Sequence, residues 1–316
     1  MRSKVLAFAA IGVLGAVAAG CGGSDSTTTG SGASVGGAGG TITVDGSSTV
    51  APYMTIASED FTTAGAKTQV TVGISGTGGG FERFCKGETD ISNASRPIKD
   101  EEKAICEKAG IAFTELQVAN DGIAVVANLD NDWATCLTTA QLKKIWEPKS
   151  TVKSWKDVDA SFPDEAIKLF GPGTDSGTFD FFTKEINGEE GASRTDYQPT
   201  ENDNVIVEGV SGEKGGLGYF GLSYFEQNSS KLKDVQVDGG KGCVTPTSET
   251  VQDGTYAPLS RPLFVYVKKD AYARQEVKDF LKFMVDNQAT IAKEALFVPL
   301  TQAQLDATTS ALTAIG

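Results

Sequence analysis

No histidine occurs anywhere in these 316 residues. That absence removes Ser-His-Asp hydrolases, Cys-His proteases, histidine-ligated zinc and histidine general bases. Positive charge is scarce too. Lys and Arg number 28 against 41 Asp and Glu, a formal net charge of −13. Such a chain has no overall field for nucleic acid or anionic lipid. An anionic ligand must therefore be held by local donors against that charge. No G-x-x-x-x-G-K-[ST] occurs, so there is no P-loop nucleotide site. Gly173 to Gly177 does not read G-x-S-x-G, and no histidine could activate Ser176. Acidic residues are plentiful but pair at no recognisable hydrolase motif.

The N-terminus sets the compartment. Arg2 and Lys4 precede an uncharged apolar run from Val5 to Ala19. That run falls short of the ~20 residues of a membrane span and fits the h-region of a signal peptide. It ends at Ala18-Ala19-Gly20-Cys21, which resembles a bacterial lipobox. Residues 1–20 are thus read as a leader and Cys21 as the lipidated first residue. Removing Arg2 and Lys4 with the leader takes the net charge from −13 to −15. Gly, Ser and Thr dominate up to residue 40. Residues 21–40 then form a flexible tether with a root-mean-square reach of about 25 Å. The expected location is outside the cytoplasm, lipid-anchored to the cell membrane. Cys85, Cys106, Cys136 and Cys243 remain, an even number for an oxidising compartment and in no zinc spacing.

Beyond the tether, strands alternate with helices. Thr41–Val44, Gln69–Ile74, Asp90–Ser92, Gly122–Asn128, Ile167–Phe170, Val205–Val207, Gly218–Phe220 and Pro262–Val267 read as strands. Pro52–Phe61, Gly80–Lys86, Asp100–Ala109, Thr139–Trp146, Thr178–Ile186 and Ala271–Asn287 read as helices. The order predicts an α/β architecture with mostly parallel sheets and ligand sites at strand C-terminal ends. One large domain or two lobes both suit the pattern.

Three loops share one design. Asp45-Gly46-Ser47-Ser48-Thr49, Ser75-Gly76-Thr77-Gly78-Gly79-Gly80 and Asp175-Ser176-Gly177-Thr178 each follow a strand and open a helix. Free N–H groups and the helix dipole favour an anion there, and hydroxyls add neutral donors. Any one alone is an ordinary N-cap; three exceed what capping requires. A fourth segment, Ile91-Ser92-Asn93-Ala94-Ser95-Arg96-Pro97-Ile98, puts an arginine just past a strand. Its planar fork suits an oxyanion, and a surface ion pair with the Asp100–Glu102 cluster is the alternative.

Together these segments, with Pro52, Ser75 to Phe84, Gly171 to Phe182 and Tyr256 to Val267, resemble the phosphate-binding component of bacterial phosphate ABC importers. The resemblance spans residues 41 to about 290. It implies a type II periplasmic-binding-protein fold. Two lobes, each a mixed, mostly parallel sheet flanked by helices, are joined by two crossing strands near 117–122 and 255–263. Lobe one would be 41–119 with 256–316, and lobe two 120–255. It also implies a monomeric receptor rather than an enzyme, with no cofactor. Inorganic phosphate is its ligand and the membrane-spanning permease subunits are its partners.

The resemblance carries site roles onto Ser48 and Thr49, onto Ser75, Gly76 or Thr77, and onto Ser176, Gly177 and Thr178. Two departures stand out. Some relatives have an aspartate at the position of Ser95, which accepts the proton of hydrogen phosphate. They also have an arginine just before the lobe-two Ser-Gly-Thr, where this chain reads Pro172-Gly173-Thr174-Asp175. Arg96 is therefore expected to supply the charge and Asp175 the acceptor, with Arg261 bracing the hinge. The implied lobes pair Cys85 with Cys106 and Cys136 with Cys243, since other pairings would obstruct hinge closure. Competing readings are a receptor for sulfate, molybdate or a phosphonate, a surface hydrolase, and an adhesive lipoprotein.

Overall fold

The computed structural model describes residues 39–315. The leader and Cys21 lie outside the described residues, as does the tether up to residue 38. Eleven strands organise the rest: β1 Thr41–Gly46, β2 Gln69–Ile74, β3 Ile91–Ala94, β4 Phe113–Asn128, β5 Cys136–Thr138, β6 Lys168–Pro172, β7 Gln198–Thr200, β8 Gly216–Gly221, β9 Leu232–Asp238, β10 Cys243–Val244 and β11 Ser260–Lys268. The main path runs β2-β1-β3-β11-β4-β8-β6-β7.

β4 explains how one path serves two lobes. Its first half pairs antiparallel with β11, from Phe113 opposite Lys268 to Gly122 opposite Ser260. Its second half pairs with β8 and β9. The apolar run Gly122–Asn128 is buried throughout, because sheet neighbours and helices cover it on every side. The other crossing leads into β11: the Ile123 N–H donates to the Leu259 carbonyl at 2.9 Å. In lobe one β1 is parallel to both β2 and β3, and in lobe two β6 is parallel to β7 and β8. The mixed two-lobed α/β fold is the one expected.

Each lobe has its own core. Ile42, Tyr53, Phe61, Leu116, Val265 and Phe280 belong to that of lobe one. Trp146, Trp155, Phe182, Tyr219 and Phe220 belong to that of lobe two. Helix α1 (Ala51–Thr63) follows β1, and Pro52 in its first turn gives up an N–H that has no intrahelical acceptor there. α2 (Gly76–Cys85) and α3 (Asp100–Lys108) follow β2 and β3. The disulfide Cys85–Cys106 joins these two helices, and Cys136–Cys243 joins β5 to β10, both as expected. In lobe two come α4 (Thr139–Trp146), α5 (Trp155–Val158), α6 (Gly177–Phe182) and α7 (Asp203–Gly212).

Three expectations change. Val205–Val207 is not a strand but part of α7. Asn202 caps that helix through the Asn204 N–H, and Ile206, Val207 and Val210 turn inward together. The helix expected from Ala271 to Asn287 breaks at Arg274, whose extended backbone caps Gln275–Asp286 and whose guanidinium meets Asp90 at 2.8 Å. α2 begins at Gly76 rather than Gly80. Its glycines are poor helix formers, but a side chain at Gly80 would stand 2.5 Å from the Gly46 Cα, so packing requires the bare backbone.

Phe280 is fully buried and 5.4 Å from the Phe61 ring. Phe280→Ala is expected to cost about 3–5 kcal/mol. Urea unfolding followed by tryptophan fluorescence and circular dichroism checks this, with a drop confined to the lobe-one transition if the lobes unfold separately.

Candidate ligand-binding cleft

The strand ends of both lobes border one cavity of about 660 Å3. Ser47, Ser48, Thr49, Gly76, Thr77, Ser95 and Arg96 line it from the first lobe. Asp180, Phe181, Lys184, Glu185 and Glu190 line it from the second, and Arg261 from the crossing strand β11. Ser48 and Thr49 stand immediately before α1, where the first N–H groups have no intrahelical acceptor.

Arg261 is the buried cation of this cavity. Its side chain is 14% exposed. Nε donates to Asp121 Oδ2 at 3.1 Å, and Nη2 donates to Thr49 Oγ1 at 2.9 Å. The guanidinium lies 3.8 Å from the Phe181 ring centroid, the geometry of a cation–π contact. Burial pulls its pKa below the usual arginine value, while Asp121, Glu185 and Asp180 oppose that. Starting so far above neutrality, it stays charged. One residue thus ties β11 to β4, to the first loop and to lobe two. The Asp121 pair joins the two crossing strands, and the same arginine borders the cavity.

Hydroxyls complete the lining. Thr49 accepts from Arg261, so its own proton remains free to donate. Thr77 Oγ1 and Ser95 Oγ are 3.1 Å apart. One bond between two hydroxyls leaves one proton available. Ser176 caps α6, accepting from the Thr178 N–H at 3.2 Å. α6 continues through a π-helical turn, Thr183–Asn187. A Cβ at Gly177 would stand 2.7 Å from Thr49 Oγ1, so glycine lets the lobe-two helix start against the lobe-one loop. The first two loops line the cavity; Ser176, Gly177 and Thr178 lie outside its lining, and the third loop meets the first only where Gly177 approaches Thr49.

Three expected roles need correction. Ser75 does not line the cavity, because its N–H and hydroxyl both bind Asp45 Oδ1, at 3.0 and 2.9 Å. Asp45 is buried and ion-paired to Arg83, and Ser75 supplies hydrogen bonds to that carboxylate beneath the loop. Arg96 borders the cavity, but its fork is closed on Glu102, at 2.8 and 2.7 Å. Burial raises the Glu102 pKa, yet the Arg96 and Lys99 bonds outweigh it and hold the carboxyl below the usual range. The ion-pair alternative is what the structure contains. Asp175 is exposed and outside the cavity lining, its N–H aimed at Glu201. The carboxylate that does line the cavity from this segment is Asp180, four residues after the Ser176 cap. Burial first, then Glu190, raises its pKa, and Arg261 opposes them. Helical spacing from Ser176 to Asp180 was the overlooked signal.

Two lobes that share crossing strands around a donor-lined cleft define a ligand-capturing receptor. Residues 31–288 match the model of the PBP superfamily domain. The protein SphX of Synechococcus elongatus is 46% identical over 264 residues, covering 82% of this chain and 77% of that one. The phosphate-binding protein PstS of Staphylococcus saprophyticus is 42% identical over 284 residues, covering 89% and 85%. A crystal structure described as a possible phosphate-binding protein from Planctomyces limnophilus superposes with a TM-score of 0.84 at 45% identity, covering 88% and 99%. This chain belongs to the PBP superfamily, among its phosphate-binding proteins.

The two arginines predict effects of different size on stability. Removing Arg261 leaves Asp121 buried and uncompensated, so Arg261→Met is expected to cost about 3–5 kcal/mol. The Arg96–Glu102 pair is more exposed, so Arg96→Met is expected to cost at most about 1 kcal/mol. Chemical denaturation without ligand checks both. Asp203 gives a pH prediction. Burial, then Glu201, pushes its pKa up to about 6. The folded state therefore holds more protons than the unfolded chain between about pH 4 and 6, and stability falls as pH rises through that window. Asp203→Asn is expected to stabilise by about 1–3 kcal/mol at pH 8 and to be neutral near pH 4.

Proposed function

We propose that this chain is an extracytoplasmic receptor that captures inorganic phosphate in its cleft and delivers it to the membrane-spanning subunits of a phosphate ABC importer. It acts as a monomer held at the membrane by acylated Cys21. The lobes that close on the ligand are 41–119 with 256–316, and 120–255. The observation that carries this reading is Arg261, a largely buried guanidinium in a cavity that the hydroxyl residues Ser48, Thr49, Thr77 and Ser95 also line, with Asp180, Lys184, Glu185 and Glu190 on the facing wall.

The chemistry suits a tetrahedral oxyanion. Arg261 offers full charge, and Ser48, Thr49, Thr77 and Ser95 offer neutral donors. The α1, α2 and α6 N-termini add partial positive charge. Gly76, Gly177, Ser176 and Thr178 bring backbone close. Asp180 takes the acceptor role first expected of Asp175. Hydrogen phosphate has a proton to give to that carboxylate; sulfate at neutral pH has none and is repelled. Binding proceeds without turnover. Among the described residues no helix is long and apolar enough to cross a membrane.

Titration calorimetry against phosphate and sulfate tests the reading. Losing a buried hydroxyl donor to a charged ligand costs about 1.5–3 kcal/mol, so Thr49→Val is expected to weaken phosphate binding roughly tenfold to a hundredfold. Arg261→Met is expected to remove measurable binding while Arg96→Met keeps it. Asp180→Asn is expected to admit sulfate. Unchanged phosphate affinity in both Thr49→Val and Arg261→Met would place the ligand elsewhere.

A further inference from the structure

The lobe-two loop that starts α6 is held from behind by the short edge strand β7. Tyr197, just before that strand, donates its hydroxyl to the Pro172 carbonyl at 2.8 Å. Within it, the Thr200 carbonyl accepts from the Gly173 N–H at 3.1 Å. Glu201, just after it, accepts from the Asp175 N–H at 3.4 Å through Oε1. Three bonds from five consecutive residues thus fix Pro172, Gly173 and Asp175. The Ser176 N–H then turns back onto the Gly173 carbonyl at 3.3 Å, and Ser176 caps α6.

Little else stiffens this segment. Thr174 and Asp175 are exposed, and a cavity of about 450 Å3 lies alongside, bordered by Gly173, Thr174, Tyr197, Thr200 and Glu201. Loops with few buried apolar contacts sit at the low-stability end of a fold. Ordering such a loop at the moment of binding would cost affinity, and ordering it beforehand avoids that cost. Tyr197 is itself anchored, edge-on to the buried Trp146 with ring centroids 5.6 Å apart. The anchor therefore connects the loop to the lobe-two core.

The geometry points to Tyr197 and Glu201 as positioning residues for anion capture: they preset the Gly173–Ser176 loop so that the start of α6 already stands against Thr49. Neither residue lines the ligand cavity. Their action is through backbone atoms of the loop, and no sequence motif announces it. The electrostatics agree that the groups form one cluster. Burial, then Glu201, pushes Tyr197 up to about 12, and the same carboxylate is a cause of the upward shift at Asp203.

This inference rests on the phosphate reading, and the experiment separates the two. Phosphate is titrated calorimetrically into the full chain and into Tyr197→Phe, Glu201→Ala and Glu201→Gln. Tyr197→Phe removes one hydroxyl and keeps the ring against Trp146, so the fold is retained. The expected result is a weakening of about three- to tenfold for Tyr197→Phe and Glu201→Ala, the scale of one net hydrogen bond. Glu201→Gln keeps an acceptor oxygen and is expected to restore binding to within about twofold of the parent. Hydrogen exchange of the ligand-free proteins is expected to speed up at Asp175–Thr178 in the two weakened variants and to stay unchanged in β8. Parent-like affinity in Tyr197→Phe and Glu201→Ala overturns the inference and leaves the function standing. So does Glu201→Gln as weak as Glu201→Ala. A parent protein that binds no phosphate overturns both.

Discussion

One guanidinium holds the cleft together. Arg261 lies where the two crossing strands meet, bound to Asp121 on β4, to Thr49 in the first loop and to the face of Phe181. Each contact crosses a boundary in the fold. The Asp121 bond ties the strands that join the lobes. The Thr49 bond fixes a hydroxyl at the start of α1. The Phe181 contact reaches lobe two. A desolvated charge costs several kcal/mol unless paired, so the surrounding structure is constrained to keep this pairing.

That constraint bears on how an acidic protein binds an anion. The net charge of −13 disfavours phosphate at long range. Inside the cleft the balance is local. Asp121 offsets part of the Arg261 charge, leaving a site closer to neutral than a free arginine would make it. Helix starts and hydroxyls then supply many partial charges and no counterions to release. Asp180, on the lobe-two wall, is in the proposed reading the acceptor that favours a ligand with a proton to give. Arg96, another cation on the cavity wall, is closed on Glu102 and works for α3: the same Glu102 carboxylate accepts from the Lys99 N–H at 2.8 Å and so caps that helix.

The architecture was legible because it is periodic. Alternating strands and helices, the buried run at Gly122–Asn128 and three Ser/Thr/Gly loops at helix starts each carry a local signature. What stayed illegible was partnership. Ser75 has the composition of a ligand donor, but Asp45, thirty residues away in sequence, claims both its donors. On sequence, Arg96 is the expected ligand cation and Arg261 the expected hinge brace. Only the third dimension shows one beside Glu102 and the other between Asp121 and Thr49. Val205-Ile206-Val207 has strand-like β-branching, and the Asn202 cap with inward-facing Ile206 and Val210 makes it a helix instead. β7 is three residues long with no apolar alternation, so neither it nor the support it gives the lobe-two loop could be read beforehand.

The position of bound phosphate is the most direct test of this cleft. A crystal structure of the mature chain grown with phosphate decides it. The prediction is one phosphate in the cleft, with an Arg261 nitrogen and the Thr49 hydroxyl within hydrogen-bonding distance, Asp180 against one protonated oxygen, and Arg96 still closed on Glu102. Phosphate held by Arg96 with Glu102 displaced, or bound away from Arg261, would contradict it.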